Sequence, residues 1–257
     1  MTRSLTLSGI ALALEERGDG PPLLFLHPGA GLAPERPWLD LLARRFRVIA
    51  PWLPGWGDSA LPDRVGSVED LAYLCLDLAD ALHLDGAALA GACFGGWIAA
   101  EMAVRQPGRF ARLALIAPLG VKFGAVTQRD IADMHAMGHD DYLAAAWADP
   151  ARGEQDTTVL PEADLTAIAR GREAFALFGW KPYMHNPRLR HWLHRIRPPT
   201  LLLWGAADGI VTPAYGAQWQ AALPDARLEI IADAGHFPLW EQPEAAVAAL
   251  VRFLLPG

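Results

Sequence analysis

Apolar residues along the chain fall into short unbroken runs, separated by longer stretches in which they recur every three or four positions. Leu23 to Leu26 is one such run, bounded by Pro22 and by His27-Pro28-Gly29, as expected of a strand buried on both faces. Phe46 to Ala50, Ala87 to Ala90, Leu113 to Ile116, Thr200 to Trp204 and Leu228 to Ile231 read the same way. Between them the spacing predicts helices over Trp38 to Arg45, Val68 to His83, Trp97 to Arg105, Ala214 to Leu223 and Pro243 to Leu255. Ser67 followed three residues later by Asp70 supplies a cap for the second of these. Leu5-Thr6-Leu7 and Ile10 to Leu14 partly alternate, which predicts a hairpin of two early strands rather than a leader peptide, since Glu15-Glu16-Arg17 follow with no convincing cleavage site.

Strands that alternate with helices imply a mostly parallel sheet covered on both faces. The alternation breaks once. From about Val121 to Arg197 the sequence is helical in pattern, rich in Trp and His, without a good strand, and it ends at Pro198-Pro199. A helical cap at 121–197, inserted after the sixth strand into a core made of 1–120 and 198–257, accounts for this better than a second domain.

Composition narrows the function classes. A chain of 257 residues with 52% hydrophobic content can bury a large core. The net charge of −7 and the lack of any basic run argue against a nucleic-acid surface, and no apolar run approaches a membrane span. Two widely separated cysteines indicate a reducing compartment, so a cytoplasmic location is expected. A homodimer stays open.

The chemistry starts at Gly91-Ala92-Cys93-Phe94-Gly95-Gly96, which places a G-x-nucleophile-x-G pattern between a strand run and a helix run. Small residues at 91, 95 and 96 suit a backbone that turns sharply, and the turn would lift the Cys93 sulfur clear of the sheet. It would also put the Phe94 N–H at a helix N-terminus, facing an anion. Cys75, in the middle of a predicted helix, reads as packing.

With the remaining motifs in view, the chain resembles the α/β-hydrolase fold with a helical cap. His27-Pro28-Gly29-Ala30-Gly31 is similar to that family's oxyanion loop, and Ala50 to Ser59 to its D-x-P-G-x-G-x-S loop, with Trp52 in place of the usual Asp. Trp204-Gly205-Ala206-Ala207-Asp208 is similar to the acid turn, and Gly235-His236-Phe237-Pro238 with Glu241-Gln242-Pro243-Glu244 to the histidine loop and final helix. The resemblance implies an eight-stranded sheet and a triad of Cys93, His236 and Asp208, without a cofactor or a metal. In this reading His236 takes the Cys93 proton, and Asp208 holds the imidazole tautomer. The oxyanion is met by the Phe94 N–H and by Gly29 or Ala30, because Pro28 has no N–H to give. The family expects serine at the elbow, which leaves a native thiol and a Ser→Cys substitution both open at position 93.

His27 reads as a residue that orders its own loop. His135 and His139 have the spacing of helical metal ligands, but no third ligand or H-E-x-x-H pattern accompanies them, so they read as surface or pocket residues, like His191 and His194. Trp56, Trp97, Trp147, Trp180, Trp192 and Phe237 are the candidate lining of an apolar substrate pocket. A thiolate with an oxyanion hole suits acyl transfer from a small hydrophobic ester, lactone or thioester. The leading expectation is therefore a hydrolase acting through a Cys93 thioester. The elbow itself is similar to the cysteine elbow of dienelactone hydrolases, and the body of the chain to capped esterases and carbon–carbon bond hydrolases. Transfer of the acyl group to another acceptor, or a ligand-binding relative with a weakened site, are the competing readings.

Overall fold

The computed structural model describes residues 2–32, 37–125 and 127–255. One eight-stranded sheet runs through it, with strands β1 (Thr2–Leu7), β2 (Ile10–Arg17), β3 (Pro22–Leu26), β4 (Arg47–Pro51), β5 (Ala88–Ala92), β6 (Arg112–Ile116), β7 (Thr200–Gly205) and β8 (Ala226–Ile231). Their spatial order is β1-β2-β4-β3-β5-β6-β7-β8. Only the β1–β2 and β2–β4 pairs are antiparallel, so the early hairpin is present and β3 to β8 form a parallel block.

Burial on both faces explains why β3 to β7 read as apolar runs; β8, expected to be buried likewise over Leu228 to Ile231, lies at the sheet edge with only Ile231 buried. Successive residues of each strand enter opposite cores. Leu23 and Phe25 of β3, Ala114 and Ile116 of β6, and Leu201 and Leu203 of β7 pack on one side. Their neighbours Leu24 and Leu26, Leu113 and Leu115, and Leu202 and Trp204 pack on the other. The first core is closed by α1 (Pro37–Ala43) and by the C-terminal helix Pro243–Leu254, which buries Ala246, Val247, Leu250 and Phe253. The second is closed by α2 (Val68–Ala81) and α3 (Phe94–Arg105), with Tyr215 and Trp219 from the helix Pro213–Ala222.

Each predicted helix exists, with ends within a few residues of the sequence expectation. The largest shift is at α3, which begins at Phe94 rather than Trp97. The glycines at 95 and 96 hide the helix from a periodicity argument, yet they are what allows it to start there. The Ser67 cap is present as a full capping box, in which the Ser67 side chain accepts from the Asp70 N–H and the Asp70 carboxylate accepts from the Ser67 N–H.

Between β6 and β7 the chain carries α4 (His139–Ala146), α5 (Glu162–Gly179) and α6 (Leu189–Trp192), with single 3₁₀ turns at Pro150–Arg152, Thr157–Val159 and Leu193–Arg195. After it come α7 (Pro213–Ala222), the short α8 (Pro238–Glu241), which the sequence pattern did not predict, and α9 (Pro243–Leu254). Among the described residues no helix is long and apolar enough to cross a membrane. Replacing Ser67 with Ala should cost about 1 kcal/mol of stability by orphaning the α2 cap. Urea unfolding would report this, with the chemistry at the far end of the sheet unchanged.

Candidate active site

Cys93, Asp208 and His236 are brought together from the C-terminal ends of three parallel strands, the edge at which open α/β sheets place their sites. Cys93 follows β5 directly and has φ 52° and ψ −112°, a conformation that a side-chain-bearing residue rarely adopts. Three close approaches hold it there. A Cβ at Gly91 would overlap the Gly95 carbonyl, one at Gly95 would overlap the carbonyl oxygen of Leu26 on β3, and one at Gly96 would meet Pro118 at 2.9 Å. The Cys93 N–H donates to the Ile116 carbonyl at 2.8 Å, and its own carbonyl accepts from Leu119 and Trp97, both at 3.2 Å. Phe94 is the first residue of α3, where backbone N–H groups lack intrahelical partners.

The acid turn and the histidine loop are built against each other. A Cβ at Gly205 would collide with the Gly235 carbonyl, and the Ala207 N–H donates to Ala234 O at 2.9 Å. Asp208 Oδ1 accepts from the Ile210 and Val211 N–H groups at 2.9 and 3.0 Å, which turns Oδ2 toward His236 Nδ1 at 2.9 Å. The three residues are almost sealed from solvent, at 5% for Cys93, 3% for Asp208 and 2% for His236. Burial by itself drives the imidazole toward its neutral form. The negative charges of Asp208 and then of the Cys93 sulfur outweigh burial, and the His236 pKa rises to about 10. Nε2, the nitrogen not used by Asp208, is buried and has no partner at hydrogen-bond geometry among the described residues, while the Cys93 side chain is near enough to raise the ring's pKa.

The loop at 27–31 is held from beneath. His27 Nδ1 lies 2.7 Å from Pro28 O and its Nε2 lies 3.0 Å from the Leu53 N, which fits a neutral ring that donates from Nδ1 and accepts at Nε2. Burial agrees, pushing its pKa down to about 4. His27 therefore orders its loop, as expected. Gly31 N–H closes a turn on Pro28 O at 2.9 Å, and the Gly29 carbonyl accepts from Trp56 Nε1 at 2.9 Å. Gly29 has no room for a side chain, because the Phe175 ring of α5 lies 2.8 Å from where its Cβ would be. The departure at Trp52 is filled by packing: its indole lies against Gly57, and its carbonyl accepts from the Ser59 hydroxyl at 2.6 Å.

Of the six candidate pocket residues, four gather near this centre. Trp56 lies over Phe94 at 5.8 Å between ring centroids, Trp97 meets Phe94 edge-on at 6.0 Å, and Trp147 packs on Phe237 at 5.1 Å, which in turn lies 5.0 Å from His236. Trp180 and Trp192 are instead 62% and 49% exposed. Trp192 faces a groove with Tyr73 and Arg188, beyond the buried Glu101 that accepts from Trp97 Nε1 at 3.2 Å. Their place in a Trp-rich segment carried no information about facing. His135 and His139 do not share a helix, since α4 starts at His139. His135 sits among the rings of Phe175, Trp180 and Tyr183, while His139 pairs with Glu154 at 3.0 Å on the surface. His139, Asp140 and Glu154 bring ligand-type atoms within 4.8 Å of one another, but all three are exposed.

Several residues at the centre carry no local motif. Phe175 lies 5.3 Å from Phe94, and Phe178 stacks on Trp56 at 6.1 Å, so α5 sets two rings over the elbow. Tyr142 of α4 feels the Cys93 sulfur: burial first, then that negative charge, push its phenol up to about 12, against an opposing pull from Arg172. Helical spacing alone would have placed Phe175 and Phe178 on one face, but not over Cys93.

The chain belongs to the alpha/beta hydrolase family, whose model matches residues 23–250, and it is a hydrolase-type enzyme. It is 25% identical to a 2-hydroxy-6-oxo-6-phenylhexa-2,4-dienoate hydrolase of Burkholderia cepacia, over 98% of this chain and 93% of that protein. It is 29% identical to the dihydrolipoyllysine-residue acetyltransferase component of the acetoin cleaving system of Pseudomonas putida, over 91% of this chain and 64% of that one. The meta-cleavage product hydrolase CumD of Pseudomonas fluorescens IP01 shares the fold, with a TM-score of 0.78 at 20% identity, covering 98% and 96% of the two chains.

Asp208→Asn keeps the Oδ1 acceptor but removes the largest influence that raises the His236 pKa, so the imidazole should lose its proton at lower pH. A raised folded-state pKa stabilises the protein fully below the ordinary value of 6.5, and that contribution is lost as pH climbs through about 10. In Asp208→Asn this contribution should be smaller, and its loss should be complete at a lower pH. NMR titration of His236 and urea midpoints between those limits would show both effects.

Proposed function

We propose that the protein is a cofactor-independent hydrolase of hydrophobic esters, lactones or thioesters, working through an acyl thioester on Cys93. The observation that carries the proposal is the convergence of a strained, glycine-walled Cys93 with a buried Asp208–His236 pair, in which charge makes the imidazole unusually basic. A basic imidazole holds the thiol proton, and the sulfur attacks the substrate carbonyl. The oxygen that becomes negative is met by the Phe94 N–H and by Gly29 or Ala30. As the tetrahedral adduct collapses, His236 returns the proton to the leaving alcohol or thiol. Water then attacks the thioester, giving its proton to His236, and release of the acid restores the Cys93 sulfur.

The hydrophobic acyl preference rests on the rings of Trp56, Phe94, Trp97, Phe175 and Phe178 around the elbow. In this reading residues 121–197 act as the cap. Its α5 must move aside for substrate to enter, because Phe175 and Phe178 cover Phe94 and Trp56 beside the buried Cys93. A second reading is favoured by the named relatives. One is named as an acetyltransferase component of an acetoin cleaving system and another as a dienoate hydrolase, so transfer of the acyl group to a thiol or amine, or hydrolysis of a carbon–carbon bond, would use the same three residues.

Intact-mass spectrometry with p-nitrophenyl esters, lactones and thioesters should show one acyl adduct, confined to Cys93 and absent from Cys93→Ala. An adduct that persists in Cys93→Ala would refute the mechanism. Products analysed in water alone and with added thiols and amines separate hydrolysis from transfer. Binding without adduct or turnover would point to a ligand-binding protein. Cys93→Ser decides the origin of the thiol: much faster turnover of oxygen esters would mark cysteine as a replacement for serine, and a dead variant would mark it as native to the chemistry.

A further inference from the structure

Glu241 is a buried carboxylate outside the reacting trio, 3% exposed, and it is met by peptide N–H groups. Oε2 accepts from the N–H of Gly235, the residue before His236, at 2.6 Å. Oε1 accepts from the N–H of Ala148 at 2.8 Å and of Asp149 at 3.4 Å, both in the chain that leaves α4. The Glu241 carbonyl accepts from Arg152 Nη1 at 2.6 Å. Next to this clamp, the last turn of α4 offers carbonyls that have no partner within the helix. Ala146 O accepts from the His236 N–H at 2.7 Å, and Ala145 O accepts from the Gly209 N–H, beside Asp208, at 2.8 Å. The contact is also steric, since a Cβ at Gly235 would run into the Ala146 carbonyl.

Desolvating a carboxylate is expensive and is tolerated when several N–H groups satisfy it. Here the carboxylate is split between two segments that are distant in sequence, one oxygen for each. We infer that Glu241 is a positioning residue that locks the histidine loop onto residues 145–152, so that docking of this stretch and correct placement of His236 against Asp208 are one event. It follows that the α4 side stays docked during turnover. Opening for substrate falls to α5, whose contacts over the elbow are aromatic rings, with an Arg170 to Gly57 O hydrogen bond at 3.2 Å at its edge.

This inference rests on the triad proposed above, and its test separates the two. Glu241→Gln keeps size and one acceptor oxygen but turns an N–H toward the N–H donors of one of the two segments. Arg152→Met removes the tie to the Glu241 carbonyl and a 3.8 Å pairing with Asp149, and leaves the carboxylate's own bonds in place. NMR titration of the His236 imidazole, stability, and steady-state hydrolysis of p-nitrophenyl butyrate are measured on the full chain for wild type, both variants and His236→Ala. Expected for Glu241→Gln are a His236 pKa moved down toward its ordinary value and a kcat lower by about tenfold or more with KM little changed, because one charge-assisted hydrogen bond is replaced by a repulsion. Arg152→Met should shift both in the same direction by less. A lowered melting temperature with the His236 titration and kcat in place would overturn the inference and leave Glu241 a purely structural residue. Should Glu241→Gln not fold, an unchanged titration in Arg152→Met overturns it alike. If His236→Ala retains wild-type turnover, the triad itself fails, and the titration arm still decides whether Glu241 governs His236.

Discussion

Backbone touching backbone at the C-terminal edge of the sheet is the constraint on which the site depends. At Gly91, Gly95 and Gly205 even a methyl group would overlap a neighbouring carbonyl. The sharp turn at Cys93, its positive φ and the start of α3 one residue later follow from the first two. The third lets the acid turn and the histidine loop lie against each other. Strain of this kind is worth about 1–3 kcal/mol per residue and persists only where surrounding structure leaves no alternative. Here β3, β5 and β6 supply that surround, through packing on both faces and through the Cys93 N–H bond to Ile116.

Electrostatics builds on this frame. Asp208 and His236 sit where water is excluded, so each is costly to charge alone. The carboxylate is satisfied by two backbone N–H groups as well as by the imidazole, and a bond to each oxygen fixes its orientation. His236 and His27 show how environment alone divides one residue type. Both rings are buried, but the one facing negative charge is pushed up to about 10, and the one beside a peptide carbonyl and an N–H is pushed down to about 4. The same principle separates Tyr142, whose phenol is kept neutral by burial and by its nearness to the sulfur.

The segment between β6 and β7 meets the core in two chemically different ways. On the α4 side, peptide groups and the Glu241 carboxylate join it to the loops that carry Asp208 and His236. On the α5 side, the rings of Phe175 and Phe178 pack on Phe94 and Trp56. Hydrogen bonds specify register, whereas apolar contact tolerates sliding and re-packing. The first contact thus fixes geometry, and the second is one that can slide and re-pack.

By itself the sequence determined a great deal. The apolar runs located the strands of the parallel block, because all but the edge strand β8 are buried on both faces, and Ser67 with Asp70 marked where α2 begins. The glycines around Cys93 announced the elbow, since only a crowded turn needs them at that spacing. The order of Cys93, Asp208 and His236 followed from motifs that are local in the chain. What tertiary structure alone decided is everything that depends on facing across segments. Ring count did not tell that Trp56 is buried while Trp180 and Trp192 are exposed. No motif put Phe175 and Phe178 on Phe94 and Trp56, brought Tyr142 near the sulfur, or divided the Glu241 carboxylate between two loops. Local pattern encodes burial and turn chemistry through short-range sterics; which distant surfaces meet is set only when the whole sheet and its connecting segments are packed.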